Sequence, residues 1–113
     1  MVRKTDDFTP RTNVRGGEGT MEMHPLLSGD EMSGRMTLCA RMVMPPHTSI
    51  GYHPHPDDVE YYCILKGSGV FRGADGQPET VGAGDVCMIR KGESHGLENP
   101  FDAPLEMLAM VFE

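Results

Sequence analysis

His53, His55 and Glu60, joined from far down the chain by His95, are the residues whose types and spacing could do chemistry. They lie in Gly51-Tyr52-His53-Pro54-His55-Pro56-Asp57-Asp58-Val59-Glu60 and in Gly92-Glu93-Ser94-His95. Three neutral imidazoles and one carboxylate form a borderline ligand set with a single negative charge. It suits Mn(II), Fe(II), Ni(II), Co(II) or Zn(II). Residues two apart on a strand project from the same face, so His53 and His55 can meet one ion side by side. Glu60 could return on the next strand, and His95 would come from a separate one. An octahedral ion held this way keeps two positions for water, a carboxylate, a hydroxy acid or a diol, and acts on them as a Lewis acid.

Strands must supply that positioning, and the chain punctuates itself accordingly. Fourteen glycines and nine prolines fall at short intervals, and no long segment holds a helical period. The spacing predicts strands at roughly 36–44, 50–55, 59–66, 69–73, 79–81, 85–90, 94–98 and 105–112. Hairpin turns are expected at Lys66-Gly67-Ser68-Gly69 and Gly73-Ala74-Asp75-Gly76. One short helical turn fits near Ser28–Met32. Met36 to Met44 is mostly apolar on both faces, as suits a strand covered on both sides, with Arg41 the exception. About eight antiparallel strands in this length call for a closed or double-sheet arrangement that hides their edges. The polar, glycine-bearing segment 1–20 reads as an N-terminal arm, able to form a strand at a dimer interface, and 21–113 as the barrel domain.

Composition narrows the function classes. With 113 residues, the chain suits one domain. A net charge of -7 and no run of Lys or Arg argue against nucleic acid. No apolar stretch approaches a membrane span, and Met1 to Asp7 carries no apolar signal segment, so a soluble cytoplasmic protein is expected. Cys39, Cys63 and Cys87 are odd in number and each lies in an apolar stretch, which reads as buried reduced thiols.

Two spaced motifs resemble the cupin family. The first motif runs glycine, five residues, His-x-His, three or four residues, Glu, six residues, Gly. His53-Pro54-His55, Glu60 and Gly67 match it, while His47 stands at the leading glycine. The second runs glycine, five residues, Pro-x-Gly, two residues, His, three residues, Asn. Gly84, Gly92, His95 and Asn99 match it, with Arg90 in place of the proline. Arg15-Gly16-Gly17-Glu18-Gly19 and Pro45-Pro46 are similar to a bacterial subgroup of small cupins. The resemblance implies an all-β fold, a double-stranded β-helix or jelly-roll barrel. It also implies one divalent metal on His53, His55, Glu60 and His95, and a homodimer.

Around that site the residues leave alternatives open. Alternation from Glu60 turns Tyr62 and Ile64 inward, where Tyr62 could bond a ligand or be a core aromatic with a satisfied hydroxyl. Arg41 could meet an anionic substrate or an acidic neighbour at the rim. His47 could touch substrate near the barrel mouth or be a solvated loop residue. His24, followed by Pro25, reads as a loop residue, Asp57 and Asp58 as solvated turn residues, and Asn99 as ordering the loop after His95. Glu60 is spent on the metal, and no second acid clearly points inward to transfer protons. The expectation is a metal-dependent binder of a small, oxygen-rich, anionic molecule. Decarboxylase-, isomerase- or dioxygenase-like turnover, a non-catalytic sensor or carrier, and a mainly structural metal all stay open.

Overall fold

Two antiparallel sheets face one another and enclose the apolar interior. The computed structural model describes residues 1–4 and 7–113, so residues 5–6 of the expected arm lie outside the described part. The strands are β1 (Thr9–Thr12), β2 (Thr20–Pro25), β3 (Met36–Met44), β4 (Ser49–Pro54), β5 (Val59–Lys66), β6 (Ser68–Arg72), β7 (Pro78–Gly82), β8 (Val86–Ile89), β9 (Ser94–Glu98) and β10 (Leu105–Phe112). One sheet runs β1-β2-β3-β10-β5-β8 and the other β4-β9-β6-β7. This is the jelly-roll arrangement that the motifs imply. Among the described residues no helix is long and apolar enough to cross a membrane.

Period-two alternation decides which side chains meet between the sheets. In β10, Leu105, Met107, Ala109 and Val111 are buried and the intervening residues are half-buried. In β5 the buried set is Glu60, Tyr62 and Ile64. In β3 it is Ala40, Met42 and Met44, with Cys39 buried on the opposite face. The other face of β3 is only partly covered: Arg41 and Val43 are half-buried, contrary to the expectation of a strand covered on both sides. The short helical turn near Ser28 is present as a 3-10 turn over Gly29–Met32.

Two strands lie outside the eight that the spacing predicts, the first of them within the arm and paired inside the chain. β1 and β2 pair with each other, Arg11 opposite Met21, and β2 joins β3 through pairs such as His24 with Arg41. Pro10 and the polar run around it obscure β1 as a sequence signal, but proline is tolerated on an edge strand, where its missing N–H costs no ladder bond. His24 is therefore a buried strand residue, not a loop residue. Its Nε2–H donates to Glu22 Oε1 at 2.8 Å, and its Nδ1 accepts from Arg41 Nη2 at 3.3 Å.

The connection between β1 and β2 is clipped onto β4. A 3-10 turn over Val14–Gly16 sits against the strand, and Ser49 N–H donates to the Glu18 carbonyl at 2.9 Å. The contact is close enough to need glycine twice. A Cβ on Gly51 would lie 2.0 Å from the Arg15 carbonyl oxygen, and one on Gly17 would lie 2.1 Å from that of Ser49. Asn13 and Arg15 hold left-handed backbone there, at φ 51° and 53°. Such a conformation costs roughly 1–2 kcal/mol for a residue with a Cβ. The clip must outweigh that strain, and it fixes the arm beside the strand that carries His53.

Candidate metal centre

Three of the four candidate ligands come from one sheet and the fourth from the other. His53 on β4 lies directly opposite His95 on β9. His55 follows the end of β4, yet its backbone still pairs: its N–H donates to the Glu93 carbonyl at 2.8 Å, and its carbonyl accepts from Gly92 N–H at 2.7 Å. Glu60 reaches across from β5, flanked by Ile89 of β8 and Val111 of β10. All four are buried, at 9%, 5%, 6% and 1% exposure for His53, His55, Glu60 and His95. Burying so much polar surface together calls for a compensating partner.

The donor atoms fit an ion. One ligand atom from each residue lies within 4.8 Å of all the others. Nε2 of His55 is 3.2 Å from Nε2 of His53 and 3.0 Å from Nε2 of His95. Oε1 of Glu60 is 3.2 Å from His55 Nε2 and 3.0 Å from His95 Nε2. Metal–nitrogen bonds of about 2.1 Å meeting at right angles put neighbouring donors about 3.0 Å apart, whereas tetrahedral angles would put them about 3.4 Å apart. The observed edges of 3.0 and 3.2 Å lie within that span.

The outward nitrogens fix the tautomers. Nδ1–H of His53 donates to the Gly51 carbonyl at 2.7 Å, and Nδ1–H of His55 donates to Asp58 Oδ1 at 2.6 Å. Their Nε2 atoms are then bare lone pairs turned on each other, so the 3.2 Å contact between them is not a hydrogen bond. A cation between them removes the conflict. Burial, and then the neighbouring imidazole and Arg15 charges, hold His53 below its ordinary pKa, against the hydrogen bond to Gly51, which raises it. His53 therefore favours the neutral form that a metal requires. Asp58, expected to be solvated, is half-buried and orients His55. Such supporting contacts typically matter about 10–100-fold in metal affinity.

Tyr62 lies beside the donors. Its ring stacks on His95 with centroids 5.1 Å apart, and its hydroxyl is close enough to Glu60 for the carboxylate to act on it. Burial first, then the Glu60 charge, push its pKa well above the usual value, so it stays a donor. Arg41 and His47 lie elsewhere. Arg41 is on the outer face of β3 and pairs with Glu106 at 2.6 Å, a half-exposed ion pair contributing at most about 1 kcal/mol. His47 is exposed, 3.4 Å from Asp102. Its φ of 64° explains the glycine that the first motif carries there: the left-handed turn persists with histidine in it. Asn99 is fully buried; its Nδ2 donates to the Met44 and Ala103 carbonyls at 3.1 and 2.8 Å and its Oδ1 accepts from Phe101 N–H, so it orders the loop after His95.

A cavity of about 260 Å³ opens over the donors. Its polar lining includes His53, His55, Asp58, Glu60, Tyr62 and Thr37, and its apolar lining includes Met23, Leu38, Met42, Met107 and Val111. Arg11 and Arg15 also line it. Sequence reasoning missed them as site residues, because their relation to His53 depends on the arm folding back over β4. The signal was the glycine cluster after Arg15, which permits the close approach. Glu93, Glu98 and Glu113 do not line the cavity.

A family model described as a cupin domain matches residues 40–111. The chain is 43% identical to the oxalate-binding protein of Thermotoga maritima, over 98% of this chain and 93% of that one. The crystal structure of a predicted oxalate decarboxylase from Thermotoga maritima superposes with a TM-score of 0.92 at 43% identity, covering 99% of this chain and 98% of the other. A Cupin 2 conserved barrel domain protein from Salinispora arenicola shares the fold, with a TM-score of 0.79 at 22% identity over 100% of this chain and 88% of that one.

Proposed function

The chain belongs to the cupin family, and from that premise we propose that it holds one divalent transition metal on His53, His55, Glu60 and His95 and binds a small oxygen-rich anion at the remaining positions. The observation that carries this reading is the convergence of three imidazole Nε2 atoms and a carboxylate oxygen with 3.0–3.2 Å edges. Three imidazoles and one carboxylate suit Mn, Fe, Ni, Co or Zn. The similarity to a protein named for oxalate binding supports a carboxylate ligand. When bound, the ion supplies Lewis-acid polarisation of a ligand oxygen. Asp58 keeps His55 in its metal-ready tautomer.

Binding without turnover is favoured over proton-transfer catalysis. The two acids that line the cavity are both engaged, Asp58 with His55 and Glu60 with Tyr62 and the imidazoles. A general acid or base needs a carboxyl free to reach the ligand. The deciding experiment is elemental analysis of protein purified without a chelating tag, followed by calorimetric titration with oxalate. About one equivalent of metal in the wild type, none in His53→Ala, and oxalate heat only with metal present are expected. Wild-type protein that takes up no metal even on reconstitution would overturn the reading.

Three free cysteines favour a reducing compartment such as the cytoplasm. The outer face of the six-stranded sheet exposes Leu65, Val86 and Met88 near its β8 edge, which supports a homodimer formed through that face. Sedimentation is expected to give a dimer mass for the wild type and a monomer mass for Met88→Glu. A monomeric wild type at micromolar concentration would rule the dimer out.

A further inference from the structure

Two guanidiniums on the cavity wall play no part in holding the metal. Arg15 sits in the 3-10 turn clipped to β4, in a left-handed conformation (φ 53°). The clip lies at Gly51, two residues before His53, and the Gly51 carbonyl is the one that accepts from His53 Nδ1. Arg15 is close enough for its charge to bear on both His53 and the Tyr62 hydroxyl. Arg11 lies on β1 opposite the core residue Met21, so it turns toward the same side of the sheet. Among the described residues Arg3 and Arg41 are ion-paired, while Arg11 and Arg15 have no carboxylate partner.

We propose that Arg15, assisted by Arg11, grips one carboxylate of a short dicarboxylate whose other carboxylate sits at the metal. This deepens the function proposed above and rests on it. Charge selects the class. The charged wall groups are Arg11, Arg15, Asp58 and Glu60, so the wall is neutral by itself and gains two positive charges with a divalent ion. A dianion restores neutrality in a partly desolvated site, and a monoanion does not. Geometry points the same way, because a planar guanidinium meets a carboxylate through two parallel hydrogen bonds. The remaining wall is largely Met23, Leu38, Met42 and Val111. Beyond Thr37 those side chains offer the several hydroxyls of a sugar acid few partners, which such a site penalises. The arm is then a determinant of specificity and not a decoration on the barrel.

The test is isothermal titration of the full-length, metal-loaded protein with oxalate, acetate and gluconate, with metal content measured on the same samples. Wild type is expected to bind oxalate at least about tenfold more tightly than either monoanion. Arg15→Gln is expected to keep its metal and lose about tenfold or more in oxalate affinity, with acetate unchanged. Arg15→Lys should recover only part of the loss, since an ammonium lacks the fork. Arg11→Gln, on an exposed edge strand, should weaken oxalate by a smaller factor, and it decides the matter if Arg15→Gln does not fold. Unchanged oxalate affinity in both glutamine variants, with metal in place, would overturn the arginine grip and leave the metal site standing. Equal affinity for oxalate and gluconate in the wild type would overturn the dicarboxylate class. A metal-loaded wild type that binds none of the probes would overturn this inference together with the reading beneath it.

Discussion

His95→Ala is expected to lose stoichiometric metal while remaining a folded barrel. His95 is the most deeply buried of the four donors, at 1% exposure. Its Nε2 lies 3.0 Å from both His55 Nε2 and Glu60 Oε1, so it joins the imidazole edge to the carboxylate edge. Without it, Glu60 loses one of the two imidazoles nearest to it. Contacts that merely support a ligand are worth about 10–100-fold in affinity, so loss of a ligand itself should cost more than about a hundredfold. The fold pays separately. The imidazole packs on Tyr62 and Phe71, at centroid distances of 5.1 and 5.9 Å, and removing it leaves a cavity costing about 2–4 kcal/mol. Elemental analysis after dialysis, alongside circular dichroism, checks both parts. Wild-type metal content in the variant would remove His95 from the ligand set.

That His53, His55, Glu60 and His95 would gather was legible because strand parity is a rigid rule. His53 and His55 share a face by spacing, and Glu60, Tyr62 and Ile64 alternate inward on β5, as period two requires. The strands from Met36 onward were legible because glycine- and proline-bearing turns separate short apolar runs. The two strands before it were not: β1 is a polar, exposed edge strand, and β2 buries only Met21 and His24, too few positions to set a pattern. Asp58 was misread because its bond to His55 depends on how a turn folds, and spacing does not specify that. Arg11 and Arg15 were missed for a longer-range reason. Their place is set by backbone approach at Gly17 and Gly51, two glycines 34 positions apart that make sense only once they touch.

Removing the metal is expected to lower the melting temperature by roughly 15 °C. An ion that binds only the folded state stabilises it by about 4 kcal/mol when free metal stands at about a thousand times its dissociation constant. In a chain of 113 residues each kcal/mol is worth about 4 °C, which gives the figure. The metal-free protein is further penalised by the lone pairs of His53 and His55 left facing each other at 3.2 Å. The sign with pH follows from His53, whose folded pKa lies below the ordinary 6.5 because burial disfavours its charge. Below pH 6.5 the unfolded chain takes up the proton first, so stability is present above that pH and falls as acid is added. Protons also compete with the ion for the same nitrogens, so the loaded protein loses more than the stripped one. The gap between the two melting curves should therefore be widest near neutral pH and close in acid. Scanning calorimetry with and without a chelator, at pH 7.5 and pH 5, measures it. Superimposed curves at pH 7.5 would mean that the four buried side chains pack without an ion, and the dicarboxylate would then have to be held by Arg11 and Arg15 alone.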